Sequence, residues 1–476
     1  MKKITFFALL AALILFMSMQ SFSQWIEWEK RKLRSFETQG FAITNSIDGN
    51  LIVTGTLNSG GYIYKCNQNG DSMWTCLGAW GYSLIEDDSG NIISVMEHDY
   101  YKVSSGGSLI WSKNLTDSLY SNIYSNSVIK TIDNKFIIVG GAVYGGNHCG
   151  YIAKYDLNGN KIFSNVLYVP NKSYYIYNLS VQGDGTFIAI GNMFGVNIER
   201  NFIAKISQTG QFIFSSEFGP NDDYLKTAFG VFRQADGGYL CFTSYRPGDT
   251  KLIISKLDSL GNFLWSKTHG DLNRSYSIRS GQSIIRDNFR NQYIVAGSKP
   301  YFGSPKDTNF CSLASYDSLG NLLWEKMTYS DSFPSYFNGI TQNSDSSFVI
   351  CGDAFVNYNS DLLDSPDYLY LLKTKKINTI GINNISSEIP GKFALHQNYP
   401  NPFNPVTKIK FELPKASNME FNVYDILGRK VYTEYINKSA GTYEIDFDAS
   451  DLPSGVYFYS LKAGEYFDSK KMVVLK

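Results

Sequence analysis

The chain has 476 residues, with 43 lysines and arginines against 43 aspartates and glutamates, so its formal net charge is zero. Without a net field it has no general electrostatic attraction to nucleic acid or to an anionic membrane, which excludes those partner classes. Aromatic residues make up 15% of the sequence and 41 residues are glycine, a composition that favours a secreted all-β protein longer than one ordinary domain.

The first 23 residues have the features of a secretory signal peptide. A basic pair at 2–3 precedes an apolar run at 4–16, and Ser21-Phe-Ser23 places small residues before Gln24. This pattern predicts signal-peptidase cleavage after Ser23. The apolar run is shorter than the roughly 20 residues of a membrane-spanning helix, so we predict no transmembrane segment.

From residue 24 to about residue 377 the sequence repeats. A glycine-centred turn is followed four residues later by tryptophan or phenylalanine, and successive glycines stand 37 to 59 residues apart. Repeats of this length predict propeller blades or a solenoid. The pairs are Gly70/Trp74, Gly107/Trp111, Gly159/Phe163, Gly210/Phe214, Gly261/Trp265 and Gly320/Trp324.

A second phrase, a hairpin turn of the Asp-Gly type followed by a short apolar run, occurs once in each repeat. The runs do not alternate with polar residues, so we expect strands that are covered on both faces. Seven residues before most of these turns stands a small residue, as expected where inner strands converge on one axis. These residues are Ala42, Ser83, Ser127, Asn178, Gly230 and Gly339, with Ser283 two residues out of register.

The two ends of the repeat region predict a closed ring. Trp28-Glu-Lys30 resembles Trp265-Ser-Lys267 but has no preceding glycine turn, and the last repeat, through Tyr368–Lys373, lacks its tryptophan strand. The N-terminal strand would therefore complete the last blade. An open solenoid would end in atypical capping units. We predict a seven-bladed β-propeller over 24–377, in preference to a solenoid or an eight-bladed ring.

Beyond the repeats, residues 378–392 are predicted to be a linker because they are rich in asparagine and serine and end in Pro-Gly. Residues 393–476 contain turns between short apolar segments, which predicts a small β-sandwich. Four motifs follow in order: Tyr399-Pro400-Asn401-Pro402-Phe403-Asn404-Pro405, Tyr424-Asp-Ile-Leu-Gly428-Arg429, Leu452-Pro-Ser-Gly455-Val-Tyr-Phe458 and a closing segment that begins Lys470-Lys471.

These motifs resemble the C-terminal sorting domain (type A) of type IX secretion substrates. The resemblance implies an Ig-like β-sandwich at the C-terminus, with the type IX secretion machinery and its sorting peptidase as partners. It further implies export through the periplasm and a location at the outer cell surface or in the medium. Removal of the tail is expected between about Lys375 and Lys392.

The sequence contains no recognisable catalytic, cofactor or metal motif. The Asp-x-x-Gly-x-x-x-Trp phrase is similar to the tryptophan-docking repeat of quinoprotein propellers and, more loosely, to the aspartate boxes of sialidases. Adjacent cysteines and an arginine cluster, which those enzymes use, are lacking. Asp156–Asn160 resembles the start of a calcium loop, but position 167 is leucine where glutamate is needed. The six cysteines, at 66, 76, 149, 241, 311 and 351, are expected to be buried and free.

Connections on one face of the predicted disc are long and carry tyrosines. Long loops on a rigid scaffold often hold binding sites, and tyrosine offers flat apolar area with a polar tip. We therefore predict a non-enzymatic module that binds glycan or protein, although the pattern is also compatible with loops that merely follow the overall composition. A polysaccharide hydrolase or lyase is the alternative, and acids and arginines clustered on inner strands would favour it. The candidate residues are Tyr120, Tyr124, Tyr174, Tyr224, Tyr276, Tyr301 and Tyr336.

Overall fold

The computed structural model describes most of the chain beyond residue 24. The predicted cleavage site after Ser23 lies outside the described residues. The described part is all-β, with strands and a short 3-10 turn at Gly281–Ser283, and contains no helix long and apolar enough to cross a membrane. The described residues are 25–35, 38–57, 60–196, 198–222, 226–245, 251–269, 281–301, 308–328, 335–355, 367–375, 381–386, 388–449 and 452–476.

The repeat region forms antiparallel four-stranded sheets, each of which is one blade, and its described residues contain seven of them. The first strand of the described residues is β1 (Ile26–Ser35). Blade 1 contains β2 (Thr38–Asn45), β3 (Leu51–Leu57), β4 (Gly60–Cys66) and β5 (Ser72–Leu77). Blade 2 contains β6 (Ser83–Glu86), β7 (Ile92–Met96), β8 (Asp99–Val103) and β9 (Leu109–Asn114). Blade 3 contains β10 (Ser121–Lys130), β11 (Phe136–Tyr144), β12 (Asn147–Tyr155) and β13 (Lys161–Leu167). Blade 4 contains β14 (Ser173–Val181), β15 (Phe187–Gly195), β16 (Ile198–Ile206) and β17 (Phe212–Asp222).

Blades 5 to 7 continue the same order. Blade 5 contains β18 (Lys226–Arg233), β19 (Tyr239–Tyr245), β20 (Lys251–Leu257) and β21 (Phe263–His269). Blade 6 contains β22 (Ile284–Arg286), β23 (Gln292–Tyr301), β24 (Thr308–Asp317) and β25 (Leu322–Thr328). Blade 7 contains β26 (Ser335–Gln342), β27 (Phe348–Phe355) and β28 (Asp367–Thr374). The predicted propeller of seven blades is therefore confirmed over the described residues.

The ring closes as the sequence predicts. Strand β1 pairs antiparallel with β28, so the N-terminal strand supplies the fourth strand of blade 7. Tyr370 on β28 donates a hydrogen bond to Glu29 Oε2 at 2.7 Å. Blade 7 also packs on blade 1, because a Cβ placed on Gly339 would lie 3.0 Å from the Ala42 Cα.

The recurring glycine and tryptophan dock neighbouring blades together. Gly107 has a φ of +88°, and a Cβ there would lie 2.6 Å from Trp74 Cδ2 of the preceding blade. Trp74 Nε1 donates to the Ser105 carbonyl at 3.1 Å, in the same turn. Glycine is needed there both for the left-handed backbone and for the space beneath the indole ring. This confirms the interpretation of the repeat as a structural hairpin.

The aspartates of these turns are occupied by the backbone. Asp156 Oδ1 accepts hydrogen bonds from the Asn158 and Asn160 amides at 2.9 and 2.8 Å. Asp258 and Asp317 do the same in their own turns. The carboxylate thus stabilises an Asx turn. All six cysteines are buried, and none of them forms a disulfide.

The C-terminal part is a β-sandwich of two four-stranded sheets, as predicted. Phe403, Phe421, Phe447 and Tyr459 fill its core. One sheet has the order β29-β34-β31-β30 and the other β33-β32-β35-β36. The strands are β29 (Gly381–Ser386), β30 (Ala394–Leu395), β31 (Val406–Leu413), β32 (Ser417–Asp425), β33 (Lys430–Lys438), β34 (Gly441–Asp448), β35 (Gly455–Ala463) and β36 (Tyr466–Val474).

The segment expected to be a linker differs from that expectation in part. Strand β29 lies inside 378–392 and pairs antiparallel with β34, at the edge of the sandwich. The polar, asparagine-rich composition that indicated a linker also suits an edge strand, which keeps one side in water. Of the described residues in this segment, Glu388, Ile389 and Lys392 are exposed and lie outside any strand.

Candidate functional site

The inner strands of five blades carry a β-bulge at the same position. In each of these strands, one residue has no partner on the neighbouring strand. In β2 the pairing with β3 passes from Gly40 directly to Ala42, and β10, β14, β18 and β26 skip one residue in the same way. A bulge inserts one residue and re-aims its side chain. The bulged residues are Phe41, Asn126, Tyr177, Phe229 and Asn338.

In four of these five blades a glycine on the second strand lies directly against the bulge, where a side chain would have no room. A Cβ on Gly191 would lie only 1.9 Å from the carbonyl oxygen of Tyr175, which the bulge pushes toward β15. Gly55, Gly140 and Gly352 meet an inner-strand carbonyl oxygen at 1.7 to 1.9 Å in the same way. Blade 5 has Thr243 at the equivalent place in the register.

The small residues singled out in the sequence lie where neighbouring inner strands meet, as expected. Ser83 Oγ donates to the Val128 carbonyl at 3.3 Å, and Ser283 Oγ donates to the Asn338 carbonyl at 2.6 Å. Larger side chains therefore reach the axis from the position just before each small residue. Sequence reasoning missed these larger residues, although the spacing that found the small ones also marked their neighbours.

A cavity of about 430 Å³ lies on the axis, and each blade contributes one of these preceding residues to its wall. Its volume falls within the range of about 300 to 1,000 Å³ that is usual for small-molecule sites. Ser83, Ser127, Thr227 and Ala228 complete the wall. The seven equivalent residues are Phe41, Tyr82, Asn126, Tyr177, Phe229, Gln282 and Asn338.

Aromatic faces and amide groups share this wall. The rings of Phe41 and Tyr82 are 5.0 Å apart and tilted by 56°, and Tyr82 is 38% exposed. Gln282 Nε2 spans from blade 6 to blade 2 and donates to Ser83 Oγ at 3.1 Å. Burial raises the pKa of Tyr177, with smaller contributions from Tyr175 and Glu199, so the phenol stays neutral near pH 7.

Further aromatic side chains continue from the cavity along blades 3 and 4. The ring of Tyr175 lies 6.0 Å from Tyr124, 5.6 Å from His148 and 5.4 Å from Phe194. Burial raises the pKa of Tyr124, with smaller contributions from Tyr175 and from Tyr177 of the cavity wall. We call Tyr124, His148, Tyr175 and Phe194 the aromatic strip.

The predicted loop tyrosines have different environments. Tyr120 lies before β10, half-buried, with its ring 5.6 Å from Tyr144. Tyr124, Tyr174, Tyr301 and Tyr336 lie in strands, so their assignment to loops is wrong, because the strands extend further than the sequence pattern indicated. Tyr174 is 3% exposed and donates to Glu217 Oε1 at 2.8 Å. Tyr224 and Tyr276 lie outside the described residues, as does the side chain of Tyr301.

Charged groups are lacking among the described residues of the cavity wall. Burial raises the pKa of Tyr82, and the exposed Glu97 raises it further. Glu199 accepts a hydrogen bond from Asn192 at 3.2 Å. Arg233 and Arg286, the inner-strand arginines, are exposed at the ends of β18 and β22. In the part of the chain that the structure describes, no group of three or more histidine, cysteine, aspartate or glutamate side chains could hold a metal ion.

In the C-terminal sandwich, the first and last motifs come together. Asn401 Oδ1 accepts from the Val473 amide at 2.9 Å, and Asn401 Nδ2 donates to the Lys471 carbonyl at 3.3 Å. Phe403 is 3% exposed and exchanges backbone hydrogen bonds with Val473 and Leu475 at 3.0 and 2.9 Å. The two motifs therefore form one structural unit.

The remaining motifs are turns and surface residues. Asp425 Oδ2 accepts from Arg429 Nε at 2.6 Å across a turn in which Gly428 has a φ of +73°. Lys470 Nζ donates to Asp468 at 2.9 Å, and Tyr399 is 81% exposed. Pro400, Pro402, Asn404 and Pro405 continue the first motif, and Gly455 begins β35.

Residues 397–475 match the family model described as "Secretion system C-terminal sorting domain". The C-terminal sandwich is a sorting domain. A sorting domain of this kind indicates export through the type IX secretion system, with secretion or attachment at the cell surface. No curated protein matches the chain.

Solved structures are similar to the chain at a low level. Prolyl oligopeptidase B from Galerina marginata is 10% identical with a TM-score of 0.41, over 83% of this chain and 56% of that enzyme. The chain thus spans about half of that enzyme's length. The gluconolactonase XC5397 from Xanthomonas campestris is 11% identical with a TM-score of 0.34, over 73% of this chain and 97% of that one. Similarities this low carry no argument about activity.

Proposed function

We propose that the propeller is a non-enzymatic module that binds glycan or protein at the cell surface or in the medium, after export through the type IX system. The proposed parts are a signal peptide at 1–23, the propeller cargo at 24–377, a connecting segment at 378–392 and the sorting domain at 393–476. In this proposal a sorting peptidase removes the last of these within the connecting segment.

The observation that carries the proposal is the wall of the axial cavity. It combines aromatic faces, such as Phe41 and Tyr82, with amides from Asn126, Gln282 and Asn338. Aromatic faces supply apolar contact area, and amides both donate and accept hydrogen bonds. Such a wall suits recognition of an uncharged ligand.

A polysaccharide hydrolase or lyase is the alternative function. Glycoside hydrolysis usually needs two carboxyl groups that flank one bond, roughly 5 to 9.5 Å apart. The described wall offers none, and the acid in direct contact with a wall residue, Asp353, accepts a hydrogen bond from Asn338 Nδ2 at 2.6 Å. The wall therefore favours binding over hydrolysis.

The experiment that separates the two is a binding screen combined with a degradation assay. The exported chain, residues 24–476, is screened on a glycan array and against surface proteins, and bound polysaccharides are then incubated with it. We expect binding without release of new reducing or unsaturated ends. Degradation that is abolished in Glu97→Gln or Glu199→Gln would establish the enzymatic alternative instead.

Export is expected to depend on the contact between the first and last sorting motifs. Asn401→Ala removes both side-chain hydrogen bonds to the closing strand, so we expect at least a severalfold drop in the secreted fraction, with cargo retained in the periplasm. Glu465→Ala is the control, because Glu465 is exposed in the same domain and lies outside the four motifs. Immunoblots of periplasm and medium measure the effect, and equal secretion of both variants would contradict it.

A further inference from the structure

Strand β29 lies between the propeller and the sorting domain in the sequence, yet it forms part of the C-terminal sandwich. The last strand of blade 7, β28, ends at Thr374, and β29 covers Gly381–Ser386. The family model begins only at residue 397, so β29 precedes the part of the chain that it matches. The strand nevertheless pairs antiparallel with β34. A segment outside the matched sorting domain thus contributes an edge strand to that domain.

The pairing of β29 depends on backbone hydrogen bonds more than on side-chain burial. In the described sheet β29 is an edge strand whose one neighbour is β34. The described core of the sandwich takes no side chain from β29, and Ile385 is 48% exposed. The addition of an extended segment to the edge of a sheet is a recurring mode of peptide recognition. Such a strand can leave without taking the core of the sandwich apart.

The chain that follows β29 is open to a peptidase. Glu388, Ile389, Gly391 and Lys392 are exposed, and a Cβ on Gly391 would meet nothing within 4 Å. Backbone groups of residues 389–392 make no hydrogen bond with any residue that the structure describes. Exposed segments whose backbone is free of such bonds are the preferred sites of proteolytic cutting.

The stretch that precedes β29 is shorter and is held at both of its flanks. The Lys375 amide donates to the Trp25 carbonyl, just before β1, at 2.9 Å, and Gly381 already pairs with β34. Residues 376–380, which lie outside the described residues, are all that separates these two positions. Residues 387–393 separate β29 from β30, and they give a peptidase more chain to bind in extended form.

We propose that the sorting peptidase cuts within residues 388–392, so that β29 stays with the cargo and retains the cut tail by strand pairing until the two separate. This inference rests on the proposed removal of the sorting domain and adds the position of the cut and its consequence. In the cut, water adds to the carbonyl carbon of one peptide bond and the C–N bond breaks. The cargo then ends in a new carboxyl group and the tail begins with a new amino group. Release of the tail needs a second step, in which β29 leaves β34.

The position of the cut can be measured on the mature protein. Secreted protein is purified from the organism that produces it, and its C-terminal peptide is identified by mass spectrometry. We expect the chain to end at a residue within 388–392, with β29 in the cargo. An end at any earlier residue, such as one within 376–380, would overturn this position and keep tail removal. Secreted chains that all extend to Lys476 would overturn tail removal itself.

Retention of the tail can be measured with a cut made in vitro. The recognition site of a sequence-specific endopeptidase is inserted between Ile389 and Pro390 of residues 24–476. Gel filtration of the cut protein at a series of dilutions then gives the Kd of the cargo–tail complex. The two variants to compare with the unsubstituted chain are Ile382→Pro and Asn383→Pro.

These two variants are matched controls for each other. Adjacent residues of an edge strand direct their N–H groups alternately toward the partner strand and away from it. One substitution therefore removes a hydrogen bond to β34, and the other falls where proline is tolerated. We expect the Kd to rise roughly tenfold or more in one variant and much less in the other.

A different contact could also retain the tail, because β33 of the sandwich lies beside β25 of blade 6. If that contact retains it, the Kd will be the same in both proline variants, which would overturn the role of β29. A tail that separates from the unsubstituted cargo as soon as it is cut would overturn that role as well. Ligand binding by the propeller is measured separately, so each of these results leaves the proposed binding function standing.

Discussion

Gly191→Ala is expected to destabilise the propeller by about 3 kcal/mol or more, the upper range for overpacking a well-packed site. The new methyl group would lie 1.9 Å from the Tyr175 carbonyl oxygen and 2.7 Å from a ring carbon of Phe202. The carbonyl belongs to the backbone of the bulge, so a change of side-chain rotamer cannot relieve the clash. We expect the bulge at Tyr177 to shift or disappear.

Gly183→Ala is the control for this variant. Gly183 lies in an exposed turn of the same blade, and a Cβ there would meet nothing within 4 Å. Its effect should stay within about 0.5 kcal/mol. Urea denaturation followed by tryptophan fluorescence gives both values. Equal stability of the two variants would show that the bulge does not depend on glycine. Weakened ligand binding by a folded Gly191→Ala variant would show that the bulge shapes the cavity.

Asp87→Asn is expected to cost about 3 kcal/mol, the cost of leaving one partner of a buried ion pair without the other. Asp87 and Lys102 are nearly fully buried, and their charged atoms lie 3.0 Å apart. Lys102 also donates to the Leu157 carbonyl of blade 3 at 3.0 Å, so the pair connects two blades. Asparagine can still accept from the Ser89 and Asn91 amides, which isolates the effect of the charge.

Asp156→Asn is the matched control, because Asp156 makes the same turn at a less buried position in blade 3. We expect it to change stability by less than about 0.5 kcal/mol. Thermal unfolding of the two variants at pH 7 measures the difference, and a difference below 1 kcal/mol would contradict a stabilising role for the buried pair.

The pair also predicts a dependence on pH. Burial pushes the pKa of Asp87 upward, but hydrogen bonds from Lys102 and Asn91 outweigh it and hold that pKa below its ordinary value. The pair therefore stabilises the fold above the unfolded-state pKa of about 3.9, and this contribution is lost as the pH falls through the lower folded-state value. Asp87→Asn should lack this part of the acid destabilisation, which unfolding curves from pH 7 down to below pH 3 would show.

The turns illustrate how much of this fold could be predicted from sequence. Asp156 and Gly159 mark a hairpin because an aspartate side chain caps the turn and glycine adopts its left-handed φ of +75°. Both effects act within five residues, so they remain visible in a linear sequence. The ring closure was visible for a similar reason. The N-terminal segment with Trp28 is a tryptophan strand without a preceding glycine turn, and the last repeat lacks such a strand.

The cavity could be predicted only in part. Asn178 and Gly230 were recognisable as small residues near the axis, but the side chains that face it are Tyr177 and Phe229. A bulge shifts the alternation of a strand by one residue, and whether it forms depends on the partner strand. Gly191, on β15, makes room for the bulge in β14, and no local pattern in β14 records this.

The sequence by itself determined the repeat, the number of blades, the closure of the ring and the sorting tail. Each of these rests on turn chemistry and spacing, which act locally and recur. Only the tertiary structure decided that one residue from each blade lines an axial cavity and that Asn401 contacts Val473. Such contacts join residues distant in the chain, and their partners are determined by how the blades and sheets pack.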